Sequence, residues 1–434
     1  MSNKTGVALY MKILIISMET WRSDTNGGNV LANIFENFEA EFAQVYCSSG
    51  IPNNNICFKY FQMTDGMAIQ NIFHKKKMGH SFNLNAIEKE KKENVDEHIS
   101  AIKKKGSFEI FRVAREIVWS LSDYRNQDLE KFVLDFDPDI IFAPCYGATY
   151  MLSLTRHIAE LTKKPVISYI SDDLYSLRQL RFSPIFWLNR FVIRKCVRKT
   201  WKYYNLIYTM TSTQMQLMSK LGKPMKILCK SGDFNKELKG KAVVYPIRFI
   251  YAGGIYLNRW KTLQILTDVM RSIGENKFIL DIYTGNTLPK GAEKKLNDGI
   301  VSRVHASIPY DQLMKEYEKS DIALHVESFD IKNRLNVRMS FSTKIIDCLD
   351  SGCAVMAICD KKQGGYAYLK EKDAAICADS RKMIERVLKQ VLNNPEIIQV
   401  YREKALKCGK ENHLRQIIST NLKRDFEKVM NGKL

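Results

Sequence analysis

None of the ten cysteines in this chain of 434 residues stands in a CxxC pair, and none joins a histidine at zinc spacing. A zinc module and a dithiol redox motif are therefore excluded. Cysteines set inside apolar runs behave as small hydrophobes, which points to a reduced, cytoplasmic chain. No window holds about 18 consecutive apolar residues, so no membrane-spanning helix is expected. The opening stretch "MSNKTGVALYMKILIIS" lacks the ordered basic, apolar and small-residue regions of a signal peptide. A Walker A loop is absent too. So are RRM, KH and helix-turn-helix signatures, which argues against nucleic acid as a partner despite a net charge of +20. One further absence is local. Between Asp173 and Asp233 there is no acidic residue, while that segment, 174–232, holds 12 lysines and arginines.

What is present is a core-forming chain, 45% hydrophobic and 11% aromatic. Short apolar runs recur: "KILIIS" (12–17), "FAQVYC" (42–47), "PDIIFAP" (138–144), "PVISYI" (165–170) and "NLIYTM" (205–210). Helical patterns separate them, at 30–39, 148–161 and 184–202. A second series follows: "IRFIYAGG" (247–254), "KFILDIYTG" (277–285), "SRVHA" (302–306), "SDIALHV" (320–326) and "CAVMAIC" (353–359), with helices near 261–273, 310–318 and 341–350. Buried strands alternating with helices mean parallel sheets covered on both faces. The fold class is α/β: two doubly wound Rossmann-like domains facing a cleft, with a helical C-terminal tail. The boundaries are 1–243, 244–410 and 411–434, the last a helix packing back on the first domain. Residues 74–105, rich in lysine, interrupt the rhythm and read as a solvated or mobile insertion.

Ligands of doubly wound folds bind beyond the C-terminal ends of strands. The first strand leads to "NGGN", where Gly27 and Gly28 allow close backbone approach before a helix. "SDDLY" follows the 165–170 strand; of Asp172 and Asp173 one can cap the next segment and the other can face the cleft as a general base. "YAGGIYLNRWKTL" joins Gly253 and Gly254 to Arg259 and Lys261, cations suited to a diphosphate. "LHVESFD" puts Glu327 at a strand end, whereas His325 reads as a packed core histidine. In "MSFSTKIIDCLDSGCAVMA", Lys344 and Asp347 lie three apart on one helical face. A lysine there can neutralise a phosphate, and a carboxylate can accept both hydroxyls of a ribose.

"STKIIDCLDSGCAVMA" resembles the KxxEylaxGxPV segment of GT-B glycosyltransferases, especially family 4 and its bacterial capsule and surface-polysaccharide members. "YAGG…NRWKTL", "LHVESFD", "SYISDDLY" and "NGGN" follow in the family's order, and "KKQGGYAYL" (361–369) resembles its donor-side loop. The resemblance implies that Asp347 binds the donor ribose and that Arg259 and Lys261 grip the diphosphate. It implies that Glu327 contacts the donor sugar and that Asp172 lies near the acceptor. The chain departs from the family pattern in three places. Glu327 and Asp347 are 20 positions apart rather than the usual eight, with "DIKNRLNVRM" inserted. The second acid is Asp rather than Glu, and Gly254 stands where an arginine is usual.

The resemblance implies transfer of a sugar from a UDP- or GDP-linked nucleotide-sugar, the co-substrate, to an acceptor hydroxyl, with retention and with no metal or other cofactor. The acceptor is a saccharide or a lipid-linked saccharide. The basic, aromatic stretch 182–204 fits an anionic membrane surface, so the chain is expected in the cytoplasm or peripheral on the inner face of the membrane. Competing readings are a nucleotide-sugar epimerase of the same fold and a non-catalytic polyanion-binding or scaffold protein.

Overall fold

The computed structural model describes residues 10–23, 26–84, 108–238, 240 and 242–434, with backbone alone at 26–29 and 108. The first domain carries β1 (Met11–Ser17), α1 (Asn26–Phe35), β2 (Ala40–Tyr46), β3 (Lys59–Gln62), α2 (Asp65–His74), β4 (His80–Asn83), α3 (Phe108–Leu121) and α4 (Gln127–Phe136). It continues through β5 (Ile140–Pro144), α5 (Thr149–Thr162), β6 (Val166–Ile170), α6 (Pro184–Trp201), β7 (Tyr204–Thr209), α7 (Ser212–Ser219) and β8 (Met225–Ile227). Its strands form one sheet in the order β4-β3-β2-β1-β5-β6-β7-β8. β4 runs antiparallel to β3 and the other pairs are parallel.

The second domain holds β9 (Ile247–Ala252), α8 (Arg259–Ile273), β10 (Phe278–Thr284), α9 (Glu293–Leu296), β11 (Ser302–Ala306), α10 (Tyr310–Lys319), β12 (Ile322–Val326) and α11 (Ile331–Val337). α12 (Lys344–Asp350), β13 (Ala354–Ile358), α13 (Gly364–Glu371) and β14 (Ile376–Ala378) complete it, and α14 (Arg381–Asn393), α15 (Glu396–His413) and α16 (Arg415–Met430) follow. The sheet order is β11-β10-β9-β12-β13-β14, parallel throughout. Every residue of β6, β12 and β13 is buried, as apolar runs without alternation require when helices cover both faces. In each sheet one strand is flanked on its two sides by strands reached in opposite directions: β1 between β2 and β5, β9 between β10 and β12. These are the switch points at which doubly wound sheets open a crevice.

Two local differences from the sequence reading have plain causes. The first helix begins at Asn26 rather than Val30, so Gly27 and Gly28 form its first turn instead of a loop. The tail reading of one helix over 412–430 is broken at Leu414, which is extended. There Gly232 donates its N–H to the His413 carbonyl (3.0 Å) and accepts from the Arg415 N–H (2.9 Å). This bridge to the interdomain segment uses backbone groups that a continuous helix would need. Of the insertion read over 74–105, residues 74–84 supply the end of α2 and β4, and 85–105 lie outside the described residues.

α16 lies across the first domain. Phe426 is fully buried, with Phe38 at 5.3 Å, Phe35 at 6.1 Å and Phe142 at 6.2 Å between ring centroids. Asp425 accepts from the Tyr208 hydroxyl (2.9 Å) and pairs with Lys226. Arg415 pairs with Asp233 and Glu36. Truncating Phe426 to alanine should therefore cost about 3–5 kcal/mol, the range for emptying a buried aromatic site. Denaturant unfolding of Phe426→Ala measures this, and a loss under about 1 kcal/mol would mean the helix is not so anchored.

Candidate functional site

A cavity of about 820 Å³ opens between the two domains. Its walls come from the loops at both switch points. The first domain supplies Glu19 after β1, Pro144 to Gly147 at the end of β5, and Ser171 to Leu174 after β6. The second supplies Tyr256, Leu257 and Arg259 after β9, Glu327 after β12, and Ser340 to Lys344. The "DIKNRLNVRM" insertion forms α11, and its Asn336 and Val337 join the wall. Asp330 caps that helix through the Asn333 N–H (2.9 Å) and accepts from Asn258 (3.1 Å). The insertion is thus tied to the β9 loop.

The electrostatic centre is a bidentate ion pair. Arg259 Nε and Nη2 donate to the two carboxylate oxygens of Glu327, each at 2.8 Å, and both residues are buried. Burial alone would lower the arginine's pKa, but the bonds and charge of Glu327 hold it above its ordinary value. The Arg259 guanidinium also lies over the Tyr256 ring, 4.8 Å from its centroid. Two residues expected in separate roles, diphosphate grip and sugar contact, therefore begin as partners.

Lys344 is the other cation of this centre. Its ammonium sits where a side chain on Gly253 would stand, 1.7 Å from an idealised Cβ. Gly253 has φ of +147° as well, so both space and backbone demand glycine. Lys344 makes no hydrogen bond or ion pair among the described residues. Burial, and next the charge of Arg259, push its pKa down to about 8, against the opposing pull of Glu327. A half-buried ammonium that lies 5.4 Å from the Tyr251 ring centroid, lines a cavity and has no carboxylate within hydrogen-bond reach is poised for an anionic ligand.

Asp347 stands one turn further along α12, outside the cavity wall. Its Oδ1 accepts from Lys230 Nζ at 2.6 Å, an ion pair that joins the second domain to the segment after β8. Oδ2 carries no hydrogen bond among the described residues. Lys261 is exposed on α8, its ammonium 5.4 Å from the Trp260 ring, and does not line the cavity. Gly254 accepts from the Tyr251 hydroxyl (2.7 Å). Gly27 and Gly28 lie in the first turn of α1, whose later residues Val30, Leu31 and Ile34 line the cavity. His325 is buried in β12, where burial pushes its pKa down to about 4 and keeps the ring neutral.

The structure separates the two aspartates after β6. Asp173 is buried; it accepts from the Ser176 N–H (2.8 Å) and hydroxyl and pairs with Arg190 (3.3 Å). Asp172 faces the cavity and is exposed; desolvation within the cleft, then the charge of Asp173, raise its pKa. Glu19, exposed on the same wall, has its pKa raised by desolvation and then by Asp172. Arg112 of α3 lines the cavity nearby and donates to the Gly147 carbonyl (2.7 Å). The first-domain wall therefore offers carboxyls that hold protons more tightly than usual, and the second-domain wall offers cations.

Sequence reasoning missed Glu19, Arg112 and Lys230. Glu19 carries a usable signal, since it stands two residues past the end of β1, the position that singled out Asp172 and Glu327. Lys230 and Asp347 are 117 positions apart, and nothing local announces such a pair. Among the described residues, no group of three or more His, Cys, Asp and Glu side chains is placed to hold a metal ion.

With this geometry in place, comparison with known proteins is informative. The family described as "Glycosyl transferase-like" matches residues 268–422. No curated protein matches the chain. HepE of Anabaena, solved in complex with UDP and glucose, is similar in structure, with a TM-score of 0.60 and 14% identity over 96% of this chain and 100% of that one. Sucrose-phosphate synthase from Thermosynechococcus elongatus gives a TM-score of 0.60 and 10% identity, covering 97% and 100%. The fold is the GT-B fold.

Lys344→Met tests the centre. Removing a half-buried charge of depressed pKa should stabilise the empty protein at pH 7 by at most about 3 kcal/mol, less where solvent screens it. Thermal unfolding measures this; a destabilised variant would mean that the ammonium has a compensating anion.

Proposed function

We propose that the protein is a glycosyltransferase of bacterial surface polysaccharide or glycolipid synthesis. It moves a sugar from a UDP- or GDP-sugar to an acceptor hydroxyl, with retention and without a metal. The observation that carries this reading is Lys344, a half-buried cation with no carboxylate partner beside the Arg259–Glu327 pair, on the wall of a cleft between two Rossmann-like domains. The similarity of 268–422 to a glycosyltransferase-like family and the UDP-bound structural neighbour support it.

In this reading the donor diphosphate enters beside Lys344 and Arg259, and Asp347 takes the ribose hydroxyls. Glu327, released from part of its bond to Arg259, contacts the sugar. The bond from the anomeric carbon to the diphosphate breaks, and the acceptor oxygen bonds to the same face of that carbon, which keeps its configuration. Negative charge grows on the departing phosphate, where fixed cations in a site shielded from water stabilise it most. Asp172, with its raised pKa, takes the hydroxyl proton, and Glu19 holds the acceptor beside it. The acceptor is a saccharide or a lipid-linked saccharide.

Calorimetric titration with UDP, GDP, CDP and ADP, without metal, tests the donor side. One nucleoside diphosphate should bind, and Asp347→Asn should weaken it by about 1–3 kcal/mol, the worth of hydrogen bonds to a charged group. Retained tight binding by that variant would remove the ribose assignment. Binding also depends on pH with a definite sign. An anion raises the pKa of Lys344 above about 8, so affinity is highest below that value and falls as pH rises from 7 to 9. Proton uptake on binding grows over the same interval. Titration in two buffers of different ionisation enthalpy reads it, and pH-independent binding would exclude Lys344 from the contact.

A further inference from the structure

α3 is fastened over the strand ends of the first domain. Its buried Trp119 donates to Asp65 (2.7 Å) and stacks on Tyr150, with ring centroids 4.3 Å apart. Three charged residues of the helix reach the loops that leave those ends, with different results. Arg115 is spent: it bonds Asp65 (2.7 Å), after β3, and the Cys47 carbonyl (3.3 Å), after β2. Glu116 is spent as well, accepting from the Thr149 N–H (2.9 Å) and hydroxyl. Arg112 reaches the loop after β5 and donates one N–H to the Gly147 carbonyl (2.7 Å). A guanidinium has five such donors, and Arg112 makes no other hydrogen bond and no ion pair among the described residues. Glu116 and Glu109 act on it only through their charge, and desolvation opposes them.

Nothing from α6 neutralises it either. Arg190, close enough to Arg112 to feel its charge, is itself held by Asp173 (3.3 Å) and by the Ser176 carbonyl (3.0 Å). The segment 174–232 around it has 12 cations and no acid. Arg112 lines the cavity together with Gln179. Room for the guanidinium comes from a glycine, since a Cβ on Gly147 would stand 3.1 Å from Nη2. The cleft therefore repeats one device on its two walls, a half-buried cation beside a glycine with no carboxylate to meet it: Lys344 at Gly253 and Arg112 at Gly147.

We propose that the acceptor is an acidic saccharide and that Arg112 binds its carboxylate. A guanidinium fork matches a planar carboxylate, and one unspent guanidinium balances one negative charge. A phosphomonoester or a diphosphate brings a second charge, and the other cation near this wall, Lys230, is already paired with Asp347. Glu19 and Asp172 are not among the charges that act on Arg112. The carboxylate and the reacting hydroxyl are thus held at distinct points of the wall, which orients the sugar between them. That the bound sugar is an acceptor rests on the glycosyl-transfer reading; the carboxylate site does not.

The test is titration of the full chain, with and without nucleoside diphosphate, followed by ligand-observed NMR. The probes are the methyl glycosides of glucuronic and galacturonic acid, each against its neutral counterpart, and the phosphomonoester of glucose. At least one uronide should bind about tenfold or more tightly than its neutral counterpart, the worth of a charge-assisted hydrogen bond. Arg112→Gln should bring that pair to equal affinity, and Arg112→Lys, which keeps the charge, should restore part of the difference. Both variants must bind the nucleoside diphosphate as the parent does, which shows that they are folded. Equal binding of acidic and neutral sugars by the parent, or binding of neither, overturns the carboxylate site; nucleoside diphosphate binding by the same sample leaves glycosyl transfer standing. Tighter binding of the phosphomonoester than of both uronides overturns it in favour of a phosphate-bearing acceptor. A uronide preference that survives Arg112→Gln, or an equal loss of acidic and neutral sugars in both variants, overturns the role of Arg112, the latter in favour of mere support of Gly147. Uronide preference in a chain that binds no nucleoside diphosphate keeps the site and removes the transfer reading.

Discussion

The cation excess at one spot, buried Arg259 and half-buried Lys344 against the single carboxylate of Glu327, is the constraint from which the rest of the site follows. Two cations and one anion held away from water are not at rest. Glu327 satisfies Arg259 through two hydrogen bonds, which leaves Lys344 short of a partner. Gly253 has to be glycine to make room for it. The empty protein bears the cost of that charge, and a ligand carrying negative charge relieves it. Binding energy for an anion is thus stored at this spot.

The ion pair between Lys230 and Asp347 gives the cleft its second character. It links the domains at the rim and occupies one oxygen of the carboxylate that the family resemblance assigns to ribose. With Thr211 bonding the Met339 carbonyl (3.0 Å) and Gln363 bonding Ser340 (2.9 Å), it fixes the 339–344 segment from both sides. A nucleotide that engages Asp347 has to share it with Lys230. In the proposed reading, domain closure and donor binding are coupled through this one side chain, a physical route by which such a cleft would shut around its ligand and exclude water.

The fold was legible because its signals are strong and local. Fully buried strands such as "IALHV" and "AVMAI" cannot alternate, and short apolar runs between helical patterns leave few arrangements. The short strands β3, β4, β8 and β14 were missed, since three or four residues carry little pattern. The site was half legible. Acids and glycines at strand ends point to the cleft wherever they fall, which found Asp172, Gly253 and Glu327 and could have found Glu19. Which cation meets which anion is a property of the assembled cleft. Arg259 and Lys261 are two residues apart, yet two residues on a helix face about 200° apart, so one turned into the cavity and the other to solvent. The exposed apolar residues of α3, Ile110, Ile117 and Leu121, were invisible for a different reason: periodicity reveals that a helix has two faces but not which one is buried.

The most direct measurement is a crystal structure of the protein with the nucleoside diphosphate that binds it. The account predicts phosphate oxygens within hydrogen-bond reach of Lys344 Nζ and Arg259, and the ribose at Asp347. A nucleotide bound elsewhere, with Lys344 still unpartnered and the Arg259–Glu327 pair intact, would contradict it.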